Sequence, residues 1–169
     1  MNYFELFQIP VHLKVNAALL SKKFFELSRA FHPDYFTNEN ETAQAESLEK
    51  SALLNKAWKT FQHPDEIIKY VLQLKGILEE EEKYQLPPDF LMEVMEINES
   101  LMDDSGEEDS LILKSRIDTL QAEIYKQVKK IIEEYQDETT TTEQLKTVKE
   151  YYYKKKYLDR IRQQLAGMA

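Results

Sequence analysis

Apolar positions recur every three to four residues along almost the whole chain, and no stretch alternates as a half-buried strand does. The pattern predicts an all-α protein. Tyr3 to Gln8 makes a short apolar turn ended by Pro10. Asn16, a good N-cap residue, opens a helix that runs to Phe31, because Pro33 disfavours helical backbone at His32. Leu20, Phe24, Leu27 and Phe31 share one face of that helix, which leaves Lys22, Lys23 and Arg29 in water. Residues 32–41 are polar and read as a loop. A second helix follows from Glu41 to Phe61, with Leu48, Ala52, Asn55 and Trp58 as its expected inner face. Two amphipathic helices so joined should lie antiparallel, with the loop at the tip of the hairpin. His63-Pro64-Asp65-Glu66 then opens a shorter helix reaching Lys75 and stopped by Gly76.

The pattern breaks at the acidic run Glu79–Glu82 and at Pro87-Pro88. Residues 1–76 and 89–169 are therefore expected to be two domains, with a linker over 77–88. In the second, Phe90 to Met102 is helical. Its row Phe90, Val94, Ile97 and Leu101 can supply a core by itself, which favours Leu91, Met92 and Met95 outward over the alternative that those three are core. A polar stretch from Asp103 to Asp109, with Gly106, precedes a longer helix marked by Leu113, Ile117, Leu120, Ile124, Val128, Ile131 and Tyr135. Thr139–Thr142 end that helix and offer caps for the next, where Thr141 with Gln144, or Thr140 with Glu143, would make a capping box. The last helix should bury Leu145, Val148, Tyr152, Leu158, Ile161 and Leu165. Three helices with short connections predict an antiparallel three-helix bundle.

Composition narrows the chemistry. The 169 residues are 42% hydrophobic with 3 Gly and 5 Pro, which suits a folded, helix-rich chain. There is no cysteine, so disulfides, thiolate zinc sites and Cys nucleophiles are excluded. The pairs Glu107-Glu108 and Glu133-Glu134 have no histidine at metal-ligand spacing, and neither a phosphate-binding loop nor a nucleophile–base pair is evident. No metal, no cofactor and no enzymatic activity are expected. A net charge of −9 argues against nucleic acid as the main partner. Between His12 and Phe31, however, Lys14, Lys22, Lys23 and Arg29 face the single acid Glu26. That local basic face is either a docking surface for something acidic or a plain solvated helix face. No apolar run approaches the ~18 residues that span a bilayer, and the first residues lack a secretory pattern, so a soluble cytoplasmic protein is expected.

The tripeptide His-Pro-Asp occurs twice. In the second copy Pro64 sits at a helix start, where its missing N–H is no loss, and Asp65 and Glu66 favour the positive end of the macrodipole. Helix initiation explains that copy. The first, His32-Pro33-Asp34, precedes no periodic segment directly and falls at the hairpin tip, where a recognition loop and a self-capped turn are both open readings.

A short aromatic helix, a basic helix, a His-Pro-Asp loop, a helix ending in Trp58 and a terminal short helix together resemble the J domain over residues 1–76. The surrounding words are similar to HscB-type J proteins of iron–sulfur cluster assembly. They are Met1-Asn2-Tyr3-Phe4-Glu5-Leu6-Phe7, Phe31-His32-Pro33-Asp34-Tyr35-Phe36, Asn55-Lys56-Ala57-Trp58-Lys59-Thr60 and Tyr70-Val71-Leu72-Gln73-Leu74-Lys75-Gly76. Asp89-Phe90-Leu91-Met92-Glu93 and Lys156-Tyr157-Leu158-Asp159-Arg160 extend the resemblance through the C-terminal half.

The resemblance implies an activator of a DnaK/HscA-type chaperone ATPase rather than an enzyme. His32, Pro33 and Asp34 would contact the chaperone's ATPase domain near its interdomain linker, and Lys22, Lys23 and Arg29 would pair with its acidic groups. Leu91, Met92, Met95, Glu96 and Glu99, with Asp103 and Tyr157, occupy positions that bind an IscU-type iron–sulfur scaffold protein. A monomer is expected. Two departures stand out: Tyr35 replaces the usual Lys after His-Pro-Asp, and no cysteine is present for the zinc-binding extension of some eukaryotic relatives, so a bacterial-type protein is expected. The alternatives are a general DnaK partner with another client, or a helical scaffold whose J domain has degenerated.

Overall fold

The computed structural model describes residues 1–102 and 107–167. Among these the regular elements are all helical: α1 (Tyr3–Phe7), α2 (Ala17–Phe31), α3 (Glu41–Phe61), α4 (Pro64–Leu74), α5 (Pro88–Met102), α6 (Glu107–Lys126), α7 (Lys129–Glu133) and α8 (Thr142–Gly167), with a 3-10 turn over Pro33–Phe36. They divide into two compact units, Met1–Val71 with Gln136–Thr139, and Leu72–Tyr135 with Thr140–Ala169.

In the first unit, α1 is short enough to need its cap. The Asn2 side chain accepts from the Glu5 N–H at 2.8 Å, and the Glu5 carboxylate accepts from the Asn2 N–H at 3.1 Å, a reciprocal capping box. This turn buries Phe4 and Phe7 against Phe61, at ring separations of 5.3 and 5.1 Å. Tyr3 stacks on Tyr70 at 4.2 Å, and its N–H donates to the Tyr70 hydroxyl at 3.0 Å. Each such ring pair adds about 0.5–1.5 kcal/mol beyond area burial. The α2–α3 hairpin is antiparallel as expected: Phe24 stacks on Trp58 at 4.6 Å, while Lys50 lies over the Phe31 ring at 5.5 Å.

The inner face of α3 differs from the expected one. Ser47, Leu54, Ala57 and Phe61 are buried, Leu48 is 62% exposed, Ala52 and Asn55 are exposed, and Trp58 is half-buried. Two apolar stripes overlap on this helix about 100° apart, and the phenyl rings of α1 select the one carrying Leu54, Ala57 and Phe61. Ser47 is accommodated because its hydroxyl donates to the Gln44 carbonyl at 2.9 Å. The expected row on α2, Leu20, Phe24, Leu27 and Phe31, is the half-buried one, but α2 has no fully buried residue. Lys23 also departs from expectation: it is half-buried, its ammonium donating to the Gln8 side chain at 2.8 Å. The exit from α4 uses Gly76 at φ +71, with the Gly76 N–H on the Gln73 carbonyl and the Ile77 N–H on that of Leu72, a Schellman ending that favours glycine.

In the second unit α5, α6 and α8 pack on one another, with α7 against α6 and α8. Tyr125 meets Tyr151, and Arg162 donates to Asp118 at 2.6 Å, so α6 and α8 run antiparallel. Phe90, Val94, Ile97 and Leu101 line the core. The expected single long helix is instead broken into α6 and α7 around Val128, whose φ of −115° and ψ of −5° depart from regular helix values. The break shifts the phase, and Ile132 takes the buried place expected of Ile131. On α8, Tyr151 and the stem of Lys154 join the core, while Leu165 is only half-buried. Thr141 and Gln144 form the capping box: the Gln144 N–H donates to the Thr141 hydroxyl at 3.1 Å, and the Thr141 N–H to the Gln144 side-chain oxygen Oε1 at 2.9 Å.

Residues 77–84 carry specific contacts to α8. The Lys149 ammonium donates to the Ile77 carbonyl at 2.9 Å and to the Glu82 carboxylate. The Tyr153 hydroxyl donates to Glu82 at 3.1 Å, and its ring stacks on Tyr84 at 4.6 Å. Burial, then the hydrogen bond and charge of Glu82, push the Tyr153 phenol up to about 12. Burial raises Tyr84 too, assisted by Glu150 and Glu82.

Candidate functional site

Proline chemistry shapes the hairpin tip. His32 is extended, φ −63° and ψ 128°, as a residue before proline prefers, and Pro33 opens the 3-10 turn. The His32 Nδ1 accepts from the Asp34 N–H at 3.2 Å. Asp34 Oδ2 also lies 3.5 Å from that nitrogen, but a nitrogen accepting an amide hydrogen cannot donate to a carboxylate. The amide bond is the directed one, and it selects the tautomer with its N–H at Nε2. The Asp34 side chain is 85% exposed. Tyr35, 70% exposed, sets its ring edge-on to the imidazole at 6.4 Å. The turn is tied down from α3: the Gln44 side chain donates to the carbonyls of Thr37 at 3.2 Å and Glu39 at 2.8 Å, and Asn40 caps the helix. The backbone is thus fastened while the imidazole, carboxylate and phenol stay accessible for hydrogen bonds and charge pairing.

The structure corrects one distinction between the two tripeptides. The first copy also starts a helical turn, with Pro33 in its first position and His32 as its cap. The sequence shows no apolar period there because a four-residue turn is too short to have one. What separates the copies is their place. On α2, Lys22 and Arg29 are exposed two turns apart on one stripe with Leu19 and Phe25, which are 78% and 60% exposed. Lys23 lies to the side, held by Gln8.

The second candidate surface is the outer face of α5. Met92 and Met95 are 66% and 57% exposed, Leu91 is half-buried, and Glu96 and Glu99 are exposed beside them. Tyr157 of α8 is half-buried, edge-on to Phe90 at 6.4 Å, and its hydroxyl accepts from the Asn98 side chain at 3.5 Å. Asp103 lies outside the described residues. One partner escaped the sequence reading: Arg116 of α6 donates to Glu96 at 3.3 Å, so this carboxylate is partly neutralised. A pairing between residues on different helices leaves no local signal. Among the described residues, no helix is long and apolar enough to cross a membrane.

Comparison with known proteins places the chain in a family. Residues 86–166 match the family model described as the HSCB C-terminal oligomerisation domain. A co-chaperone protein HscB homolog of Vibrio parahaemolyticus is 36% identical over 130 residues, 75% of each chain. That of Photobacterium profundum is 38% identical over 110 residues, 64% of each chain. The crystal structure of human co-chaperone protein HscB superposes with a TM-score of 0.78 at 29% identity, covering 98% of this chain and 81% of that one. Chaperone HscB from Vibrio cholerae gives 0.63 at 27%, covering 98% and 99%. Sequence likeness over three quarters of the chain and structural likeness over nearly all of it agree, and the chain belongs to the HscB family of co-chaperones.

Proposed function

We propose that this chain stimulates ATP hydrolysis by a DnaK/HscA-type chaperone and delivers an IscU-type scaffold protein to it, assisting iron–sulfur cluster assembly in the cytoplasm. Residues 1–76 serve as the J domain and 89–169 as the client-binding bundle. The reading rests chiefly on the tip, where a proline-fixed turn leaves His32, Asp34 and Tyr35 exposed at the end of a hairpin whose α2 displays Lys22 and Arg29. The chemistry of hydrolysis belongs to the partner. The tip supplies a donor at His32 Nε2 and a carboxylate at Asp34, and the α2 cations steer encounter and fix orientation more than they add affinity. Met92 and Met95 provide adaptable apolar contact for the client, bordered by Glu96 and Glu99.

Single-turnover ATP hydrolysis by the chaperone is expected to accelerate when the chain is added. Unchanged hydrolysis would favour the degenerate J domain that Tyr35 in place of lysine hints at. Leu91→Ala/Met92→Ala should lose capture of the scaffold protein in a pull-down while keeping the acceleration; retained capture would assign the α5 face to another client.

A further inference from the structure

Within the second unit, a groove of about 790 Å³ runs between residues 82–88, the start of α5 and α8. Leu86, Leu91 and Tyr157 contribute its apolar surface, and Lys83, Lys156 and Arg160 its cations. All of these cations are exposed. The one carboxylate in the groove lining, Glu82, is engaged by Lys149 and Tyr153, and Glu150 and Asp159 on α8 are paired with Lys154 and Lys155. The groove therefore presents uncompensated positive charge beside aromatic and aliphatic surface, in a chain whose net charge is −9. Its wall is fixed before any ligand arrives, because Lys149 holds residues 77 and 82 and Tyr84 stacks on Tyr153. A preformed site orders fewer side chains on binding, which favours affinity.

We propose that this groove binds an acidic peptide segment of a protein partner, its carboxylates on Lys83, Lys156 and Arg160 and an apolar side chain against Leu86, Leu91 and Tyr157. A nucleic acid could also match cations and tyrosines, but it carries a charge on every unit and would run its phosphates past the exposed Glu93, Glu96 and Glu99 of α5, whereas a peptide can confine its carboxylates to the groove. The same arrangement gives a bound segment a direction, acidic end in the groove and basic end along α5. The site shares Leu91 and Tyr157 with the proposed client face but requires neither Met92 nor Met95, nor any action on a chaperone.

The test is fluorescence anisotropy on the full chain with a fluorescein-labelled peptide of alternating glutamate and leucine, against its counterpart carrying glutamine for glutamate. The acidic peptide should bind more tightly than the neutral one, and added salt should weaken it. Lys156→Gln/Arg160→Gln, two exposed positions whose replacement spares the core, should lower its affinity by about tenfold. Met92→Ala/Met95→Ala should leave it unchanged, which separates failure here from failure of the client reading. Lys83→Glu gives a second, independent weakening. Equal binding of the two peptides overturns the proposal, as does binding that survives Lys156→Gln/Arg160→Gln. A poly-thymidine oligonucleotide that binds the groove in preference to the acidic peptide overturns it as well.

Discussion

The His-Pro-Asp at residues 32–34 and the one at 63–65 begin in the same way and lead to different structures. Both prolines open a helical turn. The first turn ends after four residues without burying any of them, and its histidine and aspartate stay exposed between two long helices. The second continues for eleven residues as α4, which carries Ile67, Ile68, Val71 and Leu72 into the core. Its surroundings also mix charges, with Lys59, Asp65 and Glu66 lining one shallow cleft. A tripeptide that starts a turn is therefore no marker by itself. What the turn leads into decides whether the residues are spent on folding or left exposed.

The sharpest way to break the comparison is to remove one carboxylate at a time. Asp34→Asn is expected to abolish acceleration of chaperone ATP hydrolysis in single-turnover assays, and Asp65→Asn to leave it nearly intact; equal losses would erase the distinction. Stability should divide the copies in the opposite direction. Ile67→Ala, at 1% exposure, is expected to lower unfolding free energy by about 2–5 kcal/mol in urea titrations. Tyr35→Ala on the first turn should change it by no more than about 0.5 kcal/mol. A similar loss at both positions would make the tip structural as well. The smallest expected effect sharpens the functional side: Tyr35→Lys should tighten chaperone association by about 0.2–1 kcal/mol, a gain that salt removes. A gain that persists at high salt would mean the tyrosine had been obstructing contact rather than withholding charge.

Much of this contrast could be read from residues near one another in sequence. Asn16 and Pro33 bound α2, Gly76 stops α4, and Thr141 with Gln144 caps α8, since each acts within one turn of itself. The outward methionines of α5 were legible because the row from Phe90 to Leu101 already supplied a core face. The inner face of α3 was not, because both of its stripes are apolar and α1 makes the choice. Nor was the break at Val128, where neither glycine nor proline interrupts the helical pattern. The pairs Glu82–Lys149 and Glu96–Arg116 depend on how helices lie together, which no local spacing encodes.

The absence of any fully buried residue in α2 has a thermodynamic consequence. A helix held only through half-covered side chains has a lower free energy of local opening than a helix anchored like the far end of α3, where Leu54, Ala57 and Phe61 are fully enclosed. The hairpin is thus graded in cooperativity, firmest beside α1 and loosest toward His32. Docking of a partner on α2 would draw on that reserve, surrendering entropy there while the rest of the unit keeps its native protection against hydrogen exchange.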